Sequence, residues 1–307
     1  MGELVAVMAA SHAPNLLLEL GKEWTDFMDL HYSMMPGGNA ERPSDEFGRR
    51  FAADVQRTFG LLRQVLEAAR PDALLLVAND QFVNFFYNNV PTFCLGVGTD
   101  TRGQFAKHAF AYPCHETLAR QLLGALIDEG FDLAFSEKLE LEHTQVVPLH
   151  YVLPPGGPTP LIPLFVNTWV APQPTPRRCH ALGAAIARCV AASDARVAML
   201  ATGGLSHFPG RPKIGQVDVE FDRPLLDTLA RGEGRALTEY TVSQLADVGN
   251  EEFLNWMVTL GAAGDATATV YYEPDRVATG IGFAVWHVGA GHLAAERASN
   301  LHGLLPA

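Results

Sequence analysis

Short continuous apolar runs, separated by stretches of helical period, set the plan of this chain. Leu4 to Met8, Ala73 to Ala78, Leu161 to Val166 and Val197 to Leu200 are apolar without alternation, the pattern of strands covered on both faces. Between them the period changes. From Ser44 to Ala69 the residues Phe47, Phe51, Val55, Phe59, Leu62 and Leu66 recur every three or four positions, which predicts one long amphipathic helix stopped by Pro71. Leu118, Leu122 and Leu123 predict a helix over His115 to Ile127, and further helices are expected over Arg178 to Ala191 and around Phe221 to Leu229. Asn250 reads as the N-cap of a helix from Glu251 to about Leu260, with Phe253, Met257 and Leu260 on its apolar face and Glu252 in its first turn. Thr267 to Tyr272 and Gly280 to Trp286 read as late strands. The alternation predicts an α/β protein: a single domain over residues 1–307 with a central mixed sheet flanked by helices, the active site at strand ends, and a tail at 290–307.

Polar residues collect where the apolar runs stop. Ser11-His12-Ala13-Pro14-Asn15 follows the first, Asn79-Asp80-Gln81-Phe82 the second, and Gly203-Gly204-Leu205-Ser206-His207 the fourth. Glu142-His143-Thr144 stands at a helix start, as does Glu252. Histidines with a carboxylate and open coordination positions suit a non-haem Fe(II) centre, and histidines that are not ligands suit proton transfer. Each has a plainer reading: a strand-end histidine as a hydrogen-bonded structural residue, Glu252 as a complement to the helix dipole. The aromatic stretch from Asn84 to Phe93 reads equally as pocket wall or core. The irregular segment from Leu16 to Arg42, with Trp24, Phe27, His31 and Tyr32, reads as a lid or a surface excursion. Spacing alone therefore stops at an α/β enzyme with a metal site.

Composition narrows the partners. The net charge of −12, from 34 acidic against 22 basic residues, excludes a phosphate-neutralising nucleic-acid surface. Cys94, Cys114, Cys179 and Cys189 show no CxxC spacing, so reduced thiols in a cytoplasmic protein are expected. No basic leader opens the chain and no apolar run approaches the ~20 residues of a membrane span, so neither a signal peptide nor a membrane partner is expected.

Taken in order, these motifs resemble those of the class III extradiol ring-cleavage dioxygenases. The residues that carry the resemblance are Ser11-His12-Ala13-Pro14, Asn79-Asp80-Gln81 leading into Phe85-Phe86-Tyr87, Pro91 to Gly98, Glu142-His143, Gly203-Gly204-Leu205-Ser206-His207 and Glu252-Phe253-Leu254-Asn255-Trp256. The resemblance implies an oxidoreductase that opens a substituted catechol with dioxygen, probing nearest to the dihydroxyphenylpropionate branch and hence to phenylpropanoid- or lignin-derived aromatics. It implies Fe(2+) held by His12, position 81 and Glu252, with His143 and His207 as acid and base. A catechol would bind through both hydroxyls, His207 helping to remove a proton and His143 returning one as the ring opens.

Two departures stand out. Gln81 occupies the place of a histidine in better-known members, and a glutamine oxygen is a poorer donor to Fe(II) than imidazole. Gln81 is then a ligand in its own right, or His31 fills the site, or the metal is changed or lost. The second departure is Glu142-His143-Thr144 where the family has Asp-His-Gly, with Thr144 expected to add bulk beside the pocket. The alternatives are a metal-altered member doing C–C bond hydrolysis or lyase chemistry, and a non-catalytic partner subunit. A homo-oligomer, with a small accessory subunit as an option, is the expected assembly.

Overall fold

The computed structural model describes residues 1–17, 44–105, 108–153, 157 and 159–289. His31, most of the early irregular segment and the 290–307 tail lie outside the described residues. In chain order the elements are β1 (Glu3–Ala10), α1 (Asp45–Ala69), β2 (Ala73–Ala78), β3 (Phe93–Gly96), β4 (Asp100–Phe105), β5 (His108–Pro113), α2 (Glu116–Asp128), β6 (Ala134–Ser136), β7 (Glu140–Leu141) and α3 (His143–Val152). They continue with β8 (Leu161–Val166), α4 (Pro176–Ala191), β9 (Arg196–Thr202), α5 (Val219–Ala230), α6 (Val242–Asp247), α7 (Phe253–Ala263), β10 (Ala268–Pro274) and β11 (Gly280–Trp286).

The unalternating apolar runs form the middle of one large mixed sheet, ordered β10-β11-β1-β9-β2-β8-β3-β6. Within it β1, β9, β2 and β8 are parallel neighbours. Both faces are covered, which is why no polar face appears in their sequence. Val7 and Ala9 of β1 join the core beneath α4 and α7, while Ala6, Met8 and Ala10 join the core beneath α1 and α3. The stripe of α1 is buried at Phe47, Phe51, Val55, Phe59, Leu62 and Leu66, and Ser44 caps its start by accepting from the Phe47 amide at 3.2 Å. Each such fully buried side chain contributes roughly 1.5–3 kcal/mol of transfer free energy. The helix ends at Arg70, left-handed at φ 45°, next to Pro71.

A second sheet, β5-β4-β7, stands beside the first. β4 exposes Asp100, Arg102 and Gln104, and β5 alternates buried Phe110 and Tyr112 with exposed Ala109, Ala111 and Pro113, a period too short to announce the pair in the sequence.

The last helix corrects an expectation. It starts at Phe253, and Asn250 does not cap it; Glu252 itself holds the N-cap position, with no side-chain capping bond. Asn250 Nδ2 donates to the Asp222 carboxylate at 3.2 Å, and the side chain so held leaves Oδ1, the atom a cap would use, without a donor among the described residues. The residues before Phe253 form a tight turn instead, with the Phe253 amide on the Asn250 carbonyl at 3.1 Å.

Candidate functional site

Three adjacent parallel strands end level with one another. Ala10 of β1 pairs with Thr202 of β9, and Val77 of β2 pairs with Ala201. His12, Asn79 and Gly203 each lie just beyond those ends, side by side at the edge where open α/β sheets take ligands. The start of α7 lies across them: Asn255 Nδ2 donates to Asn79 Oδ1 at 3.0 Å and to the Thr202 carbonyl at 2.8 Å. Gly203 makes the approach possible, because a Cβ there would stand 3.0 Å from the Glu252 carbonyl oxygen, and its φ of 156° suits glycine.

Glu252 is the centre of this arrangement. Its side chain is 1% exposed, and its two oxygens have different duties. Oε1 accepts from Asn79 Nδ2 at 3.1 Å and from Gln81 Nε2 at 3.2 Å. Oε2 accepts the Gly204 amide at 3.0 Å and faces His12 Nε2 at 2.9 Å and His207 Nε2 at 3.6 Å. Burial alone would push this carboxyl up, but His12 and His207 together with the bonds from His12 and Gly204 outweigh it and hold the group well below the usual carboxylate range. A buried anion is thereby kept charged, with two imidazole nitrogens and one backbone amide gathered around one oxygen.

The histidines are each fixed on the far side of the ring. His12 Nδ1 meets Thr202 Oγ1 at 3.1 Å. His207 Nδ1 is 2.9 Å from the Leu205 carbonyl, which can only accept, so Nδ1 carries the proton and Nε2 is turned to Glu252. Gly249, at φ 68°, brings the loop before Glu252 against His207, whose amide donates to the Gly249 carbonyl at 2.9 Å. The Trp169 ring meets His207 edge-on at 6.3 Å.

His143 arrives from the first turn of α3. Its Nδ1 lies 2.5 Å from Glu142 Oε2, and its ring stands 5.7 Å from that of His12 and 5.6 Å from that of Phe105. Glu142 also caps α3 by accepting the Thr144 amide at 3.1 Å. Thr144 does not project beside the pocket as expected. It is fully buried, and its hydroxyl lies between Glu142 Oε1 and the Asn79 carbonyl, 2.9 Å from the latter, which also accepts from Gln145 Nε2 at 2.7 Å. The substitution thus ties the His143 turn to the Asn79 turn.

His12, Gln81, His143, His207 and Glu252 therefore meet in one region. Among the described residues no three His, Cys, Asp or Glu side chains stand as a ready metal cluster. Position 81 offers an amide where a third such residue would be needed. The donor chemistry nonetheless suits a divalent cation. Two donors each about 2.1 Å from one cation at a right angle lie about 3 Å apart, and His12 Nε2 and Glu252 Oε2 are 2.9 Å apart. With Gln81 Nε2 directed to Glu252, the Gln81 oxygen is left for another partner.

Other residues of the polar clusters serve the scaffold. Asp80 accepts the Asn84 and Phe85 amides, at 3.0 Å each, and folds the turn that presents Gln81. The aromatic stretch divides: Phe93 is core, Phe85 joins Phe82, Phe165 and Trp169 around a narrow cavity with about 20 Å³ of water-accessible space, and Phe86 and Tyr87 are exposed.

Sequence reasoning missed Thr202, Asn255 and Asp222. Asp222, from α5, is buried and accepts from Ser206 Oγ at 2.7 Å and Tyr272 Oη at 2.8 Å. Burial pushes its carboxyl up to about 6, Asp218 adding to the effect while the Ser206 and Tyr272 bonds hold it back. A carboxyl raised in the folded state stabilises fully below its unfolded pKa of about 4. That contribution is lost as pH rises through about 6. The thermal midpoint of Asp222→Asn, relative to the unchanged chain, is expected to rise between about pH 4 and about pH 7, by the equivalent of ~3 kcal/mol at most. A difference that does not vary with pH would contradict this.

Comparison with known proteins adds relatives. The model of the family described as "Catalytic LigB subunit of aromatic ring-opening dioxygenase" matches residues 44–283. A Klebsiella pneumoniae (strain 342) protein named 2,3-dihydroxyphenylpropionate/2,3-dihydroxicinnamic acid 1,2-dioxygenase is 35% identical over 175 residues, 57% of this chain and 54% of that protein. A Mycobacterium sp. (strain MCS) protein of the same name is 32% identical over 166 residues, 54% of this chain and 53% of that one. The chain spans about half the length of the relatives it matches. A crystal structure of an uncharacterized Escherichia coli K12 protein shares the fold, with a TM-score of 0.50 at 15% identity, over 76% of this chain and 92% of that one.

Proposed function

This chain belongs to the family of the catalytic LigB subunit of aromatic ring-opening dioxygenase, and from that premise we propose that it is an Fe(II)-dependent extradiol dioxygenase that opens a catechol bearing a short side chain. The observation that carries the reading is the convergence of His12 and His207 on one oxygen of a buried, ionised Glu252. The names of the relatives support a dihydroxyphenylpropionate-type ring, from phenylpropanoid or lignin-derived material.

In this reading His12, Glu252 and the Gln81 amide oxygen hold the iron. When bound, Fe(II) supplies adjacent positions for a catechol and dioxygen and the electrons that join them. The chain's own residues manage protons and shape. His207, with Nδ1–H on the Leu205 carbonyl, presents Nε2 as the base for a catechol hydroxyl. His143, with Nδ1 on Glu142, delivers a proton from Nε2 as the ring opens, and the Glu142 carboxylate steadies the charged imidazole. Trp169 and Phe105 flank the two rings and exclude water.

Four free cysteines support a cytoplasmic setting, and no helix among the described residues is long and apolar enough to cross a membrane.

The test is anaerobic purification, reconstitution with Fe(II), and oxygen uptake against a panel of catechols, with a yellow ring-opened product expected. No iron bound and no uptake with any catechol would remove the proposal. Gln81→His is expected to tighten Fe(II) binding by at least the ~10–100-fold that even outer-shell partners contribute. An unchanged affinity would take position 81 out of the ligand set.

A further inference from the structure

We propose that Asp222 is a positioning residue of the site: its buried carboxylate fixes the turn that carries His207 against the turn that carries Glu252. Asp222 touches neither the metal-binding atoms nor the acid and base. It stands on α5, behind them, with no residual exposure.

A buried carboxylate without a cationic partner is costly to ionise, and here its oxygens are met by donors from three other segments. Ser206 gives its amide at 3.2 Å to Oδ1 and 3.3 Å to Oδ2, and its hydroxyl at 2.7 Å. Asn250 gives Nδ2 at 3.2 Å, and Tyr272 of β10 its hydroxyl at 2.8 Å. The Ser206 hydroxyl can donate to Asp222 because it accepts in turn from the Asp218 amide at 2.7 Å. Ser206 lies between Leu205, whose carbonyl orients the His207 ring, and His207 itself. Asn250 lies two residues before Glu252. One carboxylate therefore pins, from behind, both segments whose side chains meet at Glu252 Oε2.

The direct ties between the two turns are few. The His207 amide reaches the Gly249 carbonyl at 2.9 Å, and the Gly204 amide reaches Glu252 itself at 3.0 Å. Neither holds Leu205, whose carbonyl sets the His207 ring; the backbone of its turn is tied instead to β11, the Leu205 amide donating to the Gly280 carbonyl at 2.7 Å and the Gly280 amide to the Ser206 carbonyl at 3.0 Å, so the link from this turn to Asn250 runs through Asp222. An amide in place of Asp222 keeps one acceptor oxygen and turns an NH2 group toward the Ser206 or Asn250 donors, so one of the two turns must be released.

The experiment uses the full chain, iron-loaded where turnover is measured, with Asp222→Asn, Ser206→Ala and Tyr272→Phe. Misplacing a reacting group by about 1 Å costs ~10²-fold; Asp222→Asn and Ser206→Ala are expected to lower kcat ~10- to 100-fold per bound iron with KM little changed. Tyr272→Phe leaves the Ser206–Asp222–Asn250 connection in place and is expected to cost under about threefold, well short of that misplacement penalty.

The second readout does not depend on catalysis. Nitrogen NMR of the metal-free chain is expected to show a single Nδ1–H tautomer for His207, and a mixture of tautomers in Asp222→Asn and Ser206→Ala but not in Tyr272→Phe. If no catechol is turned over, the functional reading fails while the tautomer measurement still decides the role of Asp222. Should Asp222→Asn not fold, Ser206→Ala decides. A folded Ser206→Ala chain with an unaltered tautomer and undiminished turnover per iron overturns the proposal, as does Tyr272→Phe matching the other two in both readouts.

Discussion

Glu252→Gln is expected to empty the site of iron and, with it, to remove turnover. The carboxylate faces His12 and His207 on one oxygen and receives two side-chain amides on the other. A carboxamide of the same shape must direct NH2 toward one of these sets. Turned to Oε1's place, it opposes the Asn79 and Gln81 donors; turned to Oε2's place, it opposes the Gly204 amide and removes the charge the histidines face. Breaking a buried charge pair in this way costs about 3–5 kcal/mol, or ~10²–10⁴-fold in a binding constant. Iron content after dialysis, and oxygen uptake per mole of chain, are the measurements. A variant that keeps stoichiometric iron and turns over at more than about a tenth of the original rate, where ~10²-fold is the least expected, would show that Glu252 is not a ligand. His12→Ala should follow the same direction, because the two side chains stand 2.9 Å apart and share the burial.

Much of this was legible along the chain, for a physical reason. A strand buried on both faces has an unbroken apolar sequence, so its end is marked by the first polar residues, and those residues are the ones that gather around Glu252. His12, Asn79, Gln81 and His207 were all found by that rule. What places them together is the strand order, β1 beside β9 beside β2, and order is a long-range property that period does not contain. Here the resemblance to a family supplied what spacing could not, the expectation that Glu252 meets His12 across a separation of 240 positions, the difference between 252 and 12.

The failures are equally local. Asn250 has the chemistry of an N-cap, but its Nδ2 is bound by a buried carboxylate on another helix, which turns the side chain so that its Oδ1 caps nothing, and nothing near Asn250 in sequence announces Asp222. Thr144 was taken as bulk at the pocket because its side chain was counted as volume. As a hydroxyl with a carbonyl in reach, it turned inward. β4 has no apolar alternation, and that of β5 rests on Phe110 and Tyr112 alone, too short to separate the pair from loop. For Asn250 and Thr144 the missing information is a partner distant in sequence; for β4 and β5 it is a weak local signal.

His143→Gln is expected to behave as the opposite of Glu252→Gln: iron kept, chemistry lost. Its ring is packed edge-on to His12 at 5.7 Å, and its Nδ1 is committed to Glu142 rather than to the Glu252 cluster, so removing the imidazole leaves the proposed ligands in place. Loss of a positioned acid costs ~10²–10⁴-fold in the step that uses it. With substrate binding through the metal unaffected, the loss should fall on kcat and leave KM nearly unchanged. Glu142→Gln tests the charge behind that ring, because Glu142 Oε2 meets both His143 Nδ1 and the Thr144 amide. A glutamine oxygen in that place keeps both bonds and the cap of α3 but no longer steadies a charged imidazole, so kcat should fall with iron content and thermal midpoint little changed. If His143→Gln instead loses iron in parallel with activity, His143 is a ligand, and the division of labour between it and Gln81 must be redrawn.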